Sequence, residues 1–157
     1  GGRRDPEILR VVADAGCPVV LMHSRGNSQT MDSLTDYNDV TQEVKAGLVE
    51  RTDAAIKAGV KEEQIIWDPG LGFAKTHEQN LQLLKDLEQL TREPMPLLIG
   101  PSRKRFIGAV LDEPRPKARL WGTAAVACRC AQAGVAVVRV HDVGPIAQTL
   151  RMAATLW

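Results

Sequence analysis

Residues 65–73, IIWDPGLGF, decide how this chain reads. Ile65, Ile66 and Trp67 make a short, apolar, partly β-branched run of the kind that forms a buried parallel strand. Asp68 falls where such a strand leaves the sheet, and Pro69-Gly70-Leu71-Gly72 then turns the chain with few bulky side chains. In β/α architectures the C-terminal ends of parallel strands are where ligands bind. Working outward, residues 100–104 (GPSRK) follow the apolar run 96–99, and residues 139–143 (RVHDV) close the run 135–140. Three apolar strands, each tipped with charged groups, read as one active-site rim.

The remaining elements alternate around these strands. Asp5 and Pro6 suit a helix start, Ile8, Leu9, Val11, Val12 and Ala15 give it an apolar stripe, and Gly16 can end it. Residues 18–22 (PVVLM) read as the first strand, delivering His23, Ser24 and Arg25 to its tip. A long polar loop runs to Asn38, and long loops in compact domains are often functional. A second helix is expected over 40–58, stopped by Gly59. Thr76 with Gln79 makes a capping box for a third, through Leu81, Leu84, Leu87 and Leu90. An alanine-rich helix starts at Pro116 or Lys117 and runs to Ala131, and a last one follows Asp142 to about Thr155. A helix followed by four strand–helix units argues for a parallel sheet with right-handed crossovers. Four units are half of an eight-unit TIM (β/α)8 barrel, or a small open sheet. Neither a dinucleotide G-x-G-x-x-G turn nor a P-loop occurs.

The bulk properties exclude several classes. With 157 residues and a net charge of +1, the chain has a core-sized length and no global basic footprint for nucleic acid or an anionic membrane. No apolar stretch is long enough to span a bilayer. Cys17, Cys128 and Cys130 lie in apolar contexts and read as buried, reduced thiols of a cytoplasmic protein. The opening Gly1-Gly2, without an initiator methionine, suggests a start part-way through a longer protein.

At the rim, Asp68 can accept two parallel hydrogen bonds from an amidine-like heterocycle edge, or can simply cap its turn. Lys104 can donate to a ring nitrogen or carbonyl, and Arg103 can pair with a carboxylate or phosphate; a solvated basic loop is the alternative, with Arg105 alongside. Strand alternation puts Arg139 and His141 on one side and Val140 on the other, a compact donor set for phosphate or diphosphate. A histidine bonded to Asp142 for structure alone is the competing reading. His23 and Arg25 offer a weaker further anion contact. Met22 and Phe73 can wall a flat ring or pack in the core. No zinc-like spacing or nucleophile elbow appears, so the site looks built to position two substrates and stabilise a leaving anion.

Taken in order, GGRRDPEIL, PVVLMHSRG, DPGLGFAKT, GPSRKRFIG, WGTAAV and RVHDV resemble the dihydropteroate synthase family of pterin-binding enzymes over nearly the whole chain. The resemblance implies a (β/α)8 barrel that joins a dihydropterin methyl diphosphate to 4-aminobenzoate, releasing diphosphate. It implies that Asp68 grips the pterin's amino and ring N–H edge, and that Gly100 lets the ring approach the backbone. Lys104 would bond the ring and border the aminobenzoate site, with Met22 and Phe73 as walls. Arg139 and His141, with Val140 between them, would hold the diphosphate. Lys104, Arg139 and His141 are thus the expected catalytic groups. Magnesium is expected with the leaving group, though its protein ligands belong to four earlier strand units outside this chain, and the full-length family is expected to be homodimeric. Arg105 stands where relatives often carry a small residue. An inactive or weakly binding half barrel and a folate-dependent methyltransferase are the alternatives; the methyltransferase is not expected to carry SRK and RVHDV together.

Overall fold

The computed structural model describes Asp5 and residues 7–156, so the GGRR opening and Pro6 lie outside the described residues. The element order is α1 (Glu7–Ala15), β1 (Val19–Met22), α2 (Val40–Lys57), β2 (Ile65–Asp68), α3 (His77–Lys85), α4 (Leu87–Thr91), β3 (Leu98–Ile99), α5 (Arg105–Leu111), α6 (Leu120–Gln132), β4 (Val137–Val138) and α7 (Val143–Ala153), with short 3-10 turns between some of them.

The strands run parallel in sequence order. β1 pairs with β2, Val20 opposite Ile66 and Met22 opposite Asp68. β3 pairs with β4, Leu98 opposite Val137. A parallel bridge between Trp67 and Leu97 joins the two pairs, and the Trp67 amide donates to the Pro96 carbonyl. The free edges are β1 and β4, as expected for half of a closed barrel.

Strand alternation sorts the side chains into two faces. Ile65, Trp67, Leu97 and Ile99 enter the core with Val44 and Leu48 of α2, Leu83 of α3, and Leu87 and Leu90 of α4. The opposite face carries Val20, Ile66, Leu98 and Val137 in one row. Met22, Asp68, Gly100 and Arg139 form the next, at the C-terminal ends. Met22, Asp68, Gly100 and Arg139 therefore lie on the face away from the helices.

Local signals explain most of the helices. Asp39 caps α2 by accepting from the amides of Thr41 and Gln42. The capping box of Thr76 and Gln79 opens α3. The helix expected through Leu90 breaks at Asp86, whose carboxylate accepts from the Thr41 hydroxyl and the Gln82 amide. Residues 116–119 form a 3-10 turn rather than α-helix, so α6 begins later than expected. α5 was not anticipated at all: seven residues carrying Gly108 give a weak periodic signal. The thiols differ from expectation too, since Cys17 is exposed and Cys128 half-buried, leaving Cys130 alone in the core.

Candidate active site

The Asp68 carboxylate sits at the tip of β2, buried, with its Oδ1 accepting from the Gly70 amide at 2.7 Å. Gly70 has a φ of +69°, and a Cβ there would overlap the His23 carbonyl oxygen, so only glycine turns the chain this tightly. One backbone bond therefore caps the turn, as the bland reading expected, while the carboxylate keeps further acceptor capacity. Burial raises its pKa, opposed by that amide and by the charges of Lys104, Arg139 and Lys75.

Lys104 reaches back over this turn. Its Nζ donates to the Leu71 carbonyl and lies 4.6 Å from the centre of the Phe73 ring. Gly72 gives the lysine stem room, because a Cβ there would lie 3.1 Å from Lys104 Cδ. Burial pushes the ammonium down to about 8; Asp68 counteracts this and Arg139 adds to it. These mutual effects place Asp68, Lys104 and Arg139 within one electrostatic neighbourhood.

Arg139 lies beside Gly100, where an added Cβ would come within 2.7 Å of its Nη2. Its guanidinium forms no hydrogen bond or ion pair with any described residue, while its backbone amide donates to Ile99. His141 is exposed, and Ser102 Oγ lies 2.8 Å from its Nδ1 and accepts from its backbone amide at 3.1 Å. If the serine hydroxyl donates to Nδ1, the imidazole proton stays on Nε2 as an outward donor. Asp142 instead takes a bidentate pair from Arg103, at 3.0 and 2.6 Å, so the expected structural His141–Asp142 pair is replaced by His141–Ser102.

Other expected contacts resolve differently. Arg103 adopts a φ of +60°, and its backbone is held by the Thr123 hydroxyl and the Arg119 guanidinium. With its side chain on Asp142, it frames the SRK loop and is not free for a phosphate. Arg25 is likewise engaged, by Glu43 at 2.6 Å, by the Asp36 carbonyl and by the face of Tyr37. His23 is buried against Lys75. The weaker anion site expected of His23 and Arg25 is therefore a structural cluster. Val140 packs towards Ala124, Ala127 and Ile146 beneath α6 and α7, so alternation turns its side chain away from Arg139. Arg105, the first residue of α5, pairs with Asp32 at the exposed surface. Sequence reasoning missed Lys75, Ser102 as the partner of His141, and the Arg119–Thr123 frame.

A cavity of about 570 Å³ runs along the free edge of β1, touching Met22 and Phe73 as well as Val19, Val20 and α1. Asp68, Lys104, Arg139 and His141 do not line it. It marks the open side of the sheet rather than the strand ends where those charged groups stand.

Residues 1–141 match the family described as pterin binding enzyme. The chain belongs to the pterin binding enzyme family. A Synechocystis dihydropteroate synthase is 52% identical over 157 residues, which is 100% of this chain and 54% of that protein. The Xanthomonas albilineans dihydropteroate synthase solved with 4-aminobenzoic acid is 40% identical with a TM-score of 0.90, covering 98% of this chain and 54% of that one. The Thermus thermophilus enzyme solved in complex with 6HMPPP is 36% identical with a TM-score of 0.93, covering 99% and 61%. The chain spans about half the length of the curated relatives it matches. Its parallel units are thus half of the TIM barrel that these family members build.

Proposed function

We propose that this chain supplies the pterin- and diphosphate-holding half of a dihydropteroate synthase site. The reaction is condensation of 6-hydroxymethyl-7,8-dihydropterin diphosphate with 4-aminobenzoate to give 7,8-dihydropteroate and diphosphate. The observation that carries this reading is the unpartnered Arg139 guanidinium, beside Gly100 and in the same field as buried Asp68 and Lys104. The names of the relatives and the ligands of the solved neighbours support it.

In this assignment Asp68 accepts the amino and ring N–H edge of the pterin, a bidentate, charge-assisted pair. Lys104 donates to the ring and borders the aminobenzoate, Gly100 admits the ring, and Met22 and Phe73 wall it. The methylene C–O bond breaks with its electron pair leaving on the diphosphate. Arg139 and His141 donate to that developing charge. The arylamine nitrogen then bonds the electron-poor methylene carbon and sheds a proton to solvent or to the departing diphosphate. Positioning and electrostatics do the work, consistent with a site lacking a protein nucleophile.

Magnesium does not fit the residues present. Among the described residues no group of three His, Cys, Asp or Glu could hold a metal, and the charged groups near Asp68 are cations, so no step is routed through it. No described helix is long and apolar enough to cross a membrane. We assign the protein to the cytoplasm, supported by its unpaired cysteines, and expect a homodimer for the full-length enzyme.

Calorimetry with the pterin diphosphate on wild type and Asp68→Ala tests the reading. Loss of two charge-assisted bonds is expected to weaken binding about 100-fold. Equal affinity of the two proteins would overturn the assignment. A second reading is that these 157 residues alone bind without turnover; binding with no dihydropteroate formed would support it.

A further inference from the structure

Lys75 is a buried cation to which the proposed reaction assigns no part. Its Nζ lies 3.1 Å from His23 Nδ1, 3.2 Å from the Gly70 carbonyl and 3.0 Å from the Phe73 carbonyl. An ammonium has three N–H groups and no lone pair, so these three acceptors use all of its donors. His23 Nδ1 must then be an acceptor, which leaves the ring proton on Nε2. The two carbonyls flank Leu71-Gly72; the Leu71 carbonyl receives Lys104, and the second flanking carbonyl belongs to Phe73, the ring beneath Lys104.

We propose that Lys75 is a positioning residue whose ammonium ties the turn after β2 to the end of β1 and holds His23 in the Nε2–H tautomer. It acts through the turn on Asp68 and Lys104 and touches no reacting atom. The groups facing it are Asp68 on β2, Lys104 beyond β3, Arg25 in the loop after β1 and Arg51 on α2. Tyr37 lies 6.3 Å from the His23 ring, and Gly47 of α2 closes on that ring's edge. Burial pushes Lys75 down to about 7, with Asp68 opposing. When the ammonium gives its proton to water, two N–H groups face three acceptors. His23 then donates from Nδ1 into the amine lone pair, because keeping the Nε2–H form would leave one of the three acceptors bare.

The link to ligand affinity rests on the function proposed above, whereas the His23 tautomer does not. Imidazole nitrogen-15 NMR, with the His23 signals assigned by loss in His23→Gln, reads the tautomer directly. Wild type is expected to show the Nε2–H form below about pH 7 and to shift towards Nδ1–H above it. Lys75→Met should lose the preference at every pH and weaken pterin diphosphate binding about tenfold; Lys75→Arg should keep the Nε2–H form. An Nδ1–H imidazole in wild type at pH 6.5, or an unchanged tautomer in Lys75→Met, would overturn the proposal. Should Lys75→Met fail to fold by circular dichroism, a wild-type tautomer constant from pH 6 to 9 overturns it instead. Wild type that binds no pterin diphosphate sinks the functional reading and leaves the tautomer test standing.

Discussion

Arg139 owes its place to Gly100. A methyl group at that position would lie 2.7 Å from Nη2, the far end of a flexible side chain, so the guanidinium can swing aside while the fold survives. Gly100→Ala is therefore expected to change stability by under about 1 kcal/mol in urea unfolding, yet weaken diphosphate binding several-fold by calorimetry. That Asp68, Arg139 and His141 stand at or just past strand ends, with Lys104 in the loop after β3, was legible in the sequence because apolar runs and the charges that end them are local properties. Whether a cation is free is not local: Arg103 and Arg25 carry the same charge as Arg139 but are claimed by Asp142 and Glu43, distant in sequence. Lys75 was illegible for the same reason. Nothing in FAKT announces that its ammonium will be buried between two turn carbonyls and the ring of His23.

Among the elements, those with caps were readable and those shaped by tertiary contacts were not. α2 and α3 start at Asp39 and Thr76 as their side chains dictate. The break between α3 and α4 depends on Thr41 of a different helix reaching Asp86, which no window of local sequence contains. The segment joining α5 to α6 is organised by Arg119, which donates to the carbonyls of Glu113, Pro114 and Arg103. Arg103 is held in the left-handed region through this contact, so the geometry of the SRK loop depends on a residue far from the cleft. Replacing Arg119 with methionine leaves three carbonyls short of a donor. A loss of about 2 kcal/mol is expected in urea unfolding, with a concurrent fall in pterin affinity.

At the scale of the whole molecule, the two ends of the inner row of the sheet are exposed while its middle, at Leu98, is covered. Val20 and Val137 are 43% and 41% accessible, each on a strand paired along one side only. The 157-residue chain alone is expected to elute from size exclusion as a dimer or larger species. A well-behaved monomer that unfolds cooperatively would show that the half barrel is self-sufficient. Stability should also rise between pH 7 and 9. Lys75 and Lys104 titrate at about 7 and about 8 in the folded chain but near 10.5 when unfolded, so the unfolded state binds more protons across that window. Above about pH 10.5, where the unfolded lysines have also lost their protons, the slope should reverse. Burial holds the Cys130 thiol neutral up to about 12, whereas an unfolded thiol ionises near 9.0. Urea midpoints from pH 7 to 11 check both limbs, and Lys75→Met should flatten the first.

The indole of Trp67 is sealed behind the sheet with its N–H on Thr52, while Trp121 stands 75% in solvent. Dry surroundings shift the first towards blue emission and leave the second red. Because Trp67 immediately precedes Asp68, the molecule carries its own optical gauge: a heterocycle docked on that carboxylate and absorbing in the blue band would dim the sealed fluorophore before the exposed one, with no dye attached.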